Sequence, residues 1–105
     1  MATSMAEGEL ADAVETGFSR IKNFYEIFSK YSHSEEMVEG IELFCREISR
    51  LLIDAAYSNE IEFDELLAII LDTLGKELAS KIIDEAAILR TYGSDAVTNF
   101  KNVLR

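Results

Sequence analysis

Leu10, Val14, Phe18, Ile21, Tyr25, Phe28 and Tyr31 recur at steps of three and four, a spacing that gathers them on one stripe of a helix running from about Glu9 to Tyr31. Phe24 and Ile27 widen the stripe, and a Phe/Tyr/Ile ladder of this kind reads as bundle core rather than as an aromatic binding platform. Ser32 followed three residues later by Glu35 has the form of a capping box, in which the serine oxygen accepts from a free backbone N–H and the glutamate reaches back. A second helix is predicted to start there, with Met37, Ile41, Phe44, Cys45, Ile48, Leu51, Leu52 and Ala55 inward. Glu35, Glu36, Glu39, Glu42 and Glu47 keep mostly to the other faces, where pairs such as Glu42 with Arg46 and Glu47 with Arg50 contribute a few tenths of a kcal/mol, roughly.

Tyr57-Ser58-Asn59 ends this helix with residues that tolerate turn geometry, and Asp64 is the expected N-cap of the next. The third helix carries Leu66, Leu67, Ile70, Leu71 and Leu74 up to Gly75, which suits a left-handed C′ position. A fourth helix follows at once, with Leu78, Ile82, Ile83, Ala86 and Leu89 as its inner stripe, and Tyr92-Gly93 closes it. Beyond the expected cap Ser94, the residues Ala96, Val97, Phe100, Val103 and Leu104 make a short amphipathic tail that must fold back on the body or meet a partner to be stable. The fold class predicted from these stripes and short connections is all-α, an antiparallel four-helix bundle with a short C-terminal helical tail. Residues 1–105 form one domain, of which residues 1–8 are expected to be a loose tail.

Composition supports that picture and narrows the chemistry. The 105 residues contain no proline and only five glycines, which fits long helices better than a many-stranded sheet. A hydrophobic fraction of 49% is enough for an independent core. Twenty acids against ten bases give a formal net charge of -10, which argues against nucleic-acid binding and against a polybasic membrane anchor. The charge is unevenly spread: residues 1–85 hold nineteen acids and seven bases, a net of -12, whereas residues 86–105 hold one acid and three bases, a net of +2. The longest apolar run, Leu66 to Leu71, falls far short of the ~20 residues that cross a bilayer, and the first eight residues lack the basic and apolar regions of a secretory signal. The single cysteine, Cys45, lies in a helical apolar pattern and reads as a buried small hydrophobe, in keeping with a cytoplasmic location.

No catalytic motif emerges, and the chain is expected to be non-enzymatic and free of cofactor and metal. A nucleophilic Cys45 would need a histidine beside it, and the only one, His33, stands between Ser32 and Ser34 in a helix-start signal. One histidine cannot furnish the two Glu-x-x-His motifs of a di-iron bundle. Asp54 to Glu65 matches the second half of a calcium loop, but its third ligand position is Ala56, its fifth is Ser58, and Asn59 stands where the turn glycine belongs. The alternative for this segment is an interhelical turn in which Ile61 and Phe63 plug the end of the core.

That turn also carries a resemblance. Ala56-Tyr57-Ser58-Asn59-Glu60-Ile61-Glu62-Phe63, the helix beginning Glu65-Leu66-Leu67, and the closing Tyr92-Gly93 resemble, in sequence and spacing from about Ala55 to Gly93, the second half of the enterocin A type of immunity protein. This family protects bacteria from pediocin-like (class IIa) bacteriocins. The resemblance implies an antiparallel four-helix bundle that acts in the cytosol without catalysis. It implies as partner the mannose phosphotransferase permease that the bacteriocin uses as its receptor, recognised from the cytosolic side once bacteriocin is bound, with the C-terminal half setting which bacteriocin is countered. Carried onto this chain, that points to helices three and four and the tail, where bases outnumber acids after Glu85 and the expected partner-binding residues are Arg90, Tyr92, Phe100, Lys101 and Arg105; the competing reading is that Tyr92 and Phe100 only cover the bundle end. The charge of -10 departs from the near-neutral or basic balance usual in the family, which favours recognition of a protein face over direct lipid association.

Two other classes fit the composition. An acidic inhibitor or antitoxin-like bundle would mask a basic protein surface and form a salt-sensitive complex. A homodimeric structural bundle would need no other partner.

Overall fold

The computed structural model describes the backbone of residues 3–105 and the side chains from residue 8 onward. Five helices follow in order: α1 (Thr3–Lys30), α2 (Glu35–Ser58), α3 (Phe63–Ile82), α4 (Glu85–Tyr92) and α5 (Ser94–Leu104), with no strand among the described residues. Of the tail expected over residues 1–8, Met1 and Ala2 lie outside the described residues, and the backbone is helical from Thr3.

The first two helices are antiparallel, as the short connection dictates: Tyr25 meets Glu42, Phe24 meets Phe44 and Gly17 meets Leu52, with one residue number rising as the other falls. The N-cap of α2 is Ser34, whose oxygen accepts from the Met37 N–H at 3.1 Å. Ser32, the expected cap, instead donates to the Phe28 carbonyl at 2.8 Å and closes the end of α1. Glu35 is therefore the first residue of α2 rather than the far member of a capping box.

The buried line of α2 is Cys45, Ser49, Ile53 and Ala56. The expected stripe shares Cys45 with this line but otherwise runs one step around the helix from it, so that Ile41, Ile48 and Leu52 are partly buried while Met37, Phe44 and Leu51 are about half exposed. A polar residue at the centre of the true line disguises it. Ser49 Oγ lies 2.9 Å from both its own-helix Arg46 carbonyl and the Ile82 carbonyl, and Arg46 Nη2 donates to the Lys81 carbonyl at 2.9 Å. Two side chains of α2 thus satisfy the carbonyls at the C-terminus of α3.

The expected N-cap of α3, Asp64, stands inside the first turn with Glu65, where both acids complement the helix dipole, and the cap position is Glu62. Gly75 takes φ 79° and ψ 166°, a backbone conformation essentially restricted to glycine, and bends α3 while the chain stays helical on either side. The fourth helix predicted to run on to Tyr92 is broken at Ile83 and Asp84. Asp84 Oδ1 accepts from the Ala86 N–H at 3.0 Å and starts α4 anew. That restart resets the register, so Ala87 and Ile88 are buried while Ala86 and Leu89 are exposed.

Asp54 beside Arg90 and Tyr57 beside Tyr92 advance together along the two helices, so α4 runs parallel to α2. After Gly93, which holds φ 97° and ψ 177°, α5 turns back along α4 and packs on α3, with Lys101 returning to Glu85. The α4–α5 hairpin therefore covers the α2–α3 side of the body. Phe18, Ile53, Leu66, Ile70, Ile82, Ile88 and Phe100 fill one continuous core.

Candidate partner-binding surface

The α2–α3 turn is built as a helix C-terminal motif. Ile61 N–H donates to the Ala56 carbonyl and Glu60 N–H to the Tyr57 carbonyl, both at 3.0 Å, with Glu60 in the left-handed region at φ 65°. This is the paired bonding of a Schellman motif, with a glutamate at the position that glycine normally takes. Ile61 is buried beneath it, and Phe63 packs partly against the core. Asp54 and Ser58 belong to α2, and Asp54 is held by two arginines, Arg90 at 2.8 Å and Arg50 at 3.8 Å. The segment that matches half a calcium loop is thus a helix end, a turn and a helix start.

Tyr92, the last residue of α4, closes onto this turn. Its hydroxyl donates to the Ile61 carbonyl at 2.7 Å, and its ring stands 5.2 Å from both Tyr57 and Phe63, edge-on to the first. Burial, with the nearby Glu62, Tyr57 and Glu65 adding to it, pushes the phenol up to about 12. The result is a shallow cleft with Tyr57, Phe63 and Tyr92 as its aromatic wall and Glu60 and Glu62 at its rim. Tyr57 is half exposed and Phe63 partly so. Their convergence on Tyr92 had no separate signal in the chain, although all three fall within the two segments that carry the family resemblance.

The five residues expected to face a partner do not form one patch. Arg90 and Tyr92 lie together at the turn end, the arginine half exposed and bonded to Asp54. Lys101 is at the opposite end of the α4–α5 hairpin, 3.6 Å from Glu85, and Arg105 follows one helical turn later. Phe100 is 1% exposed and belongs to the core, so it offers no surface to a partner; its place on the buried line with Ala96 accounts for it. Two of the three bases that make the C-terminal end basic are paired with acids of the body, which mutes the charge polarity legible in the chain.

Cys45 is 1% exposed, and burial, with Glu42 next in effect, raises its thiol to about 11, so it stays protonated and inert near neutral pH. Among the described residues no three His, Cys, Asp or Glu side chains gather as metal ligands, and no helix is long and apolar enough to cross a membrane. Compared with models of known families, with curated proteins and with solved structures, the chain matches none.

Proposed function

We propose that the chain is a bacteriocin immunity protein of the enterocin A type, acting without catalysis in the cytoplasm. It protects the cell by recognising the mannose phosphotransferase permease engaged by a pediocin-like bacteriocin. The observation that carries this reading is the union of the two segments that resemble the family: Tyr92 bonds to Ile61 across 31 positions of chain and packs against the rings of Tyr57 and Phe63. Residues that look like scattered family marks are one structural unit, which a chance likeness would not require. On this reading α1, α2, α3 and α4 stand for the four helices of the family's bundle, and α5, packed on α3 and α4, for its C-terminal tail. The partner-facing groups on this account are the exposed ones, Arg90, Lys101 and Arg105, with the rim of the aromatic cleft. Expression of the intact chain inside a sensitive strain, challenged with a panel of pediocin-like bacteriocins, tests the reading.

A second reading rests on the same cleft. Aromatic faces beside Glu60 and Glu62 suit a Lys or Arg side chain, which would gain both cation–π and ionic attraction. This favours the acidic inhibitor that masks a basic protein, and it predicts a complex that weakens steeply with salt.

A further inference from the structure

The expected stripe of α2 and the far side of the α1 stripe meet on the face of the α1–α2 pair that α3 leaves uncovered. Phe24 stacks on Phe28 and Phe44 with ring centres 4.7 and 5.0 Å apart, and Ile27, Met37 and Leu51 continue the surface along the two helices. Phe28, Phe44, Ile27, Met37 and Leu51 are each about half exposed. A narrow apolar groove between the helices lies in its middle, with Arg20 as the only charged residue of the lining. Half-exposed side chains of this size leave on the order of 600 Å² of apolar surface uncovered, the upper end of what a monomer shows and close to one partner's share of a small stable dimer.

We infer that this face is a homodimer interface in which the α1–α2 pair of one copy lies on that of a second copy, with the twofold axis along the helices. The occupant follows from the placement of charge. Arg20 lines the groove on α1, and the exposed Glu47 lies one helical step from Phe44 and Leu51 on α2. The pairings of Tyr25 with Glu42 and Gly17 with Leu52 put Arg20 and Glu47 at the same height along the pair. A twofold axis along the helices sets α1 of one copy over α2 of the other, so each Arg20 faces the other copy's Glu47, which at present bonds Arg50 at 2.8 Å. A twofold axis across the helices would set α1 on α1 and α2 on α2, bringing arginine toward arginine and glutamate toward glutamate. The face is thus self-complementary in one arrangement only, and four helices then bury a surface that two leave open.

Sedimentation of the intact chain across concentration tests this, with far-UV circular dichroism to confirm folding. The wild type sediments as a dimer by about 100 μM, the range expected of an interface at the small end of stable complexes. Leu51→Glu and, independently on the other helix, Ile27→Glu alter half-exposed positions and yield folded monomers. Arg20→Glu and Glu47→Arg each weaken association about tenfold, and the double variant restores most of it. A wild type that stays monomeric up to about 0.5 mM, well above the working range of specific dimers, overturns the inference and leaves the face to a different partner. A dimer that persists in folded Leu51→Glu, or a double charge swap no better than its singles, overturns it as well.

Discussion

The hydroxyl of Tyr92 donates to the main-chain carbonyl of Ile61 at 2.7 Å, tying the end of α4 to the turn between α2 and α3. Tyr92→Phe keeps the ring and its two aromatic neighbours but removes this bond, and is expected to cost about 1 kcal/mol in chemical denaturation. Burial of the same phenol has a pH signature. The phenol titrates at about 12 when folded, against an ordinary value near 10 when unfolded. Between these values the unfolded state sheds a proton that the folded state keeps, so the contribution of Tyr92 to stability is level below pH ~10 and falls as pH rises toward ~12. Tyr92→Phe loses part of that decline, and denaturation midpoints measured from pH 9 to 11.5 read the difference.

Glu60 and Gly75 make opposite demands on their backbones. Glu60 holds φ 65° at a site that suits glycine, so Glu60→Gly should stabilise by about 0.5–1 kcal/mol. Gly75→Ala forces alanine into φ 79° and ψ 166°, and should destabilise by about 1–3 kcal/mol even though nothing lies within 4 Å of the added carbon. Urea midpoints that move in opposite directions for the two variants are the expected result.

Phe100 and Lys101 are neighbours in sequence with different roles. Phe100→Ala empties a core position and should cost about 3–5 kcal/mol. Lys101→Ala loses only an exposed 3.6 Å pair with Glu85 and should change stability by less than ~1 kcal/mol. If the tail were instead a detached partner-binding segment, thermal unfolding would show little difference between them.

Cys45 should react with a neutral alkylating reagent at pH 8 only as fast as the core opens. A thiol raised to about 11 is almost wholly protonated there, and it is shielded by the packing of the body. Labelling followed by mass spectrometry, with urea added in steps, should show the rate rising with local or global unfolding.

How much of this was legible in the chain varies with the physical signal. The course of α1 and the end of α2 at Ser58 follow from apolar spacing and turn residues, although Ile27, Phe28 and Tyr31 of the expected α1 core are about half exposed or more. Gly75 takes a positive φ with an extended ψ in place of the expected left-handed C′ geometry. The helix break at Asp84 is written in a capping residue, but the apolar run from Leu78 to Leu89 spans it and suggests continuity. The core line of α2 is masked in two ways. Its central member is the hydroxyl of Ser49, and the neighbouring stripe of Met37, Phe44 and Leu51 is the more apolar although it faces outward. Hydrophobic periodicity marks a stripe that needs covering without saying whether the same chain covers it. At the candidate site, Tyr92 was singled out, but its union with Tyr57 and Phe63 depends on α4 running parallel to α2, which no local pattern encodes.

The proposed immunity is read by the bacteriocin concentration that halts growth of a sensitive strain producing the chain in the cytoplasm. This concentration is expected to rise for at least one pediocin-like bacteriocin and to fall back when Arg90 and Lys101 are both changed to Glu in a protein that remains folded. No rise for any bacteriocin of the panel, with the wild-type chain confirmed folded and abundant, would contradict it.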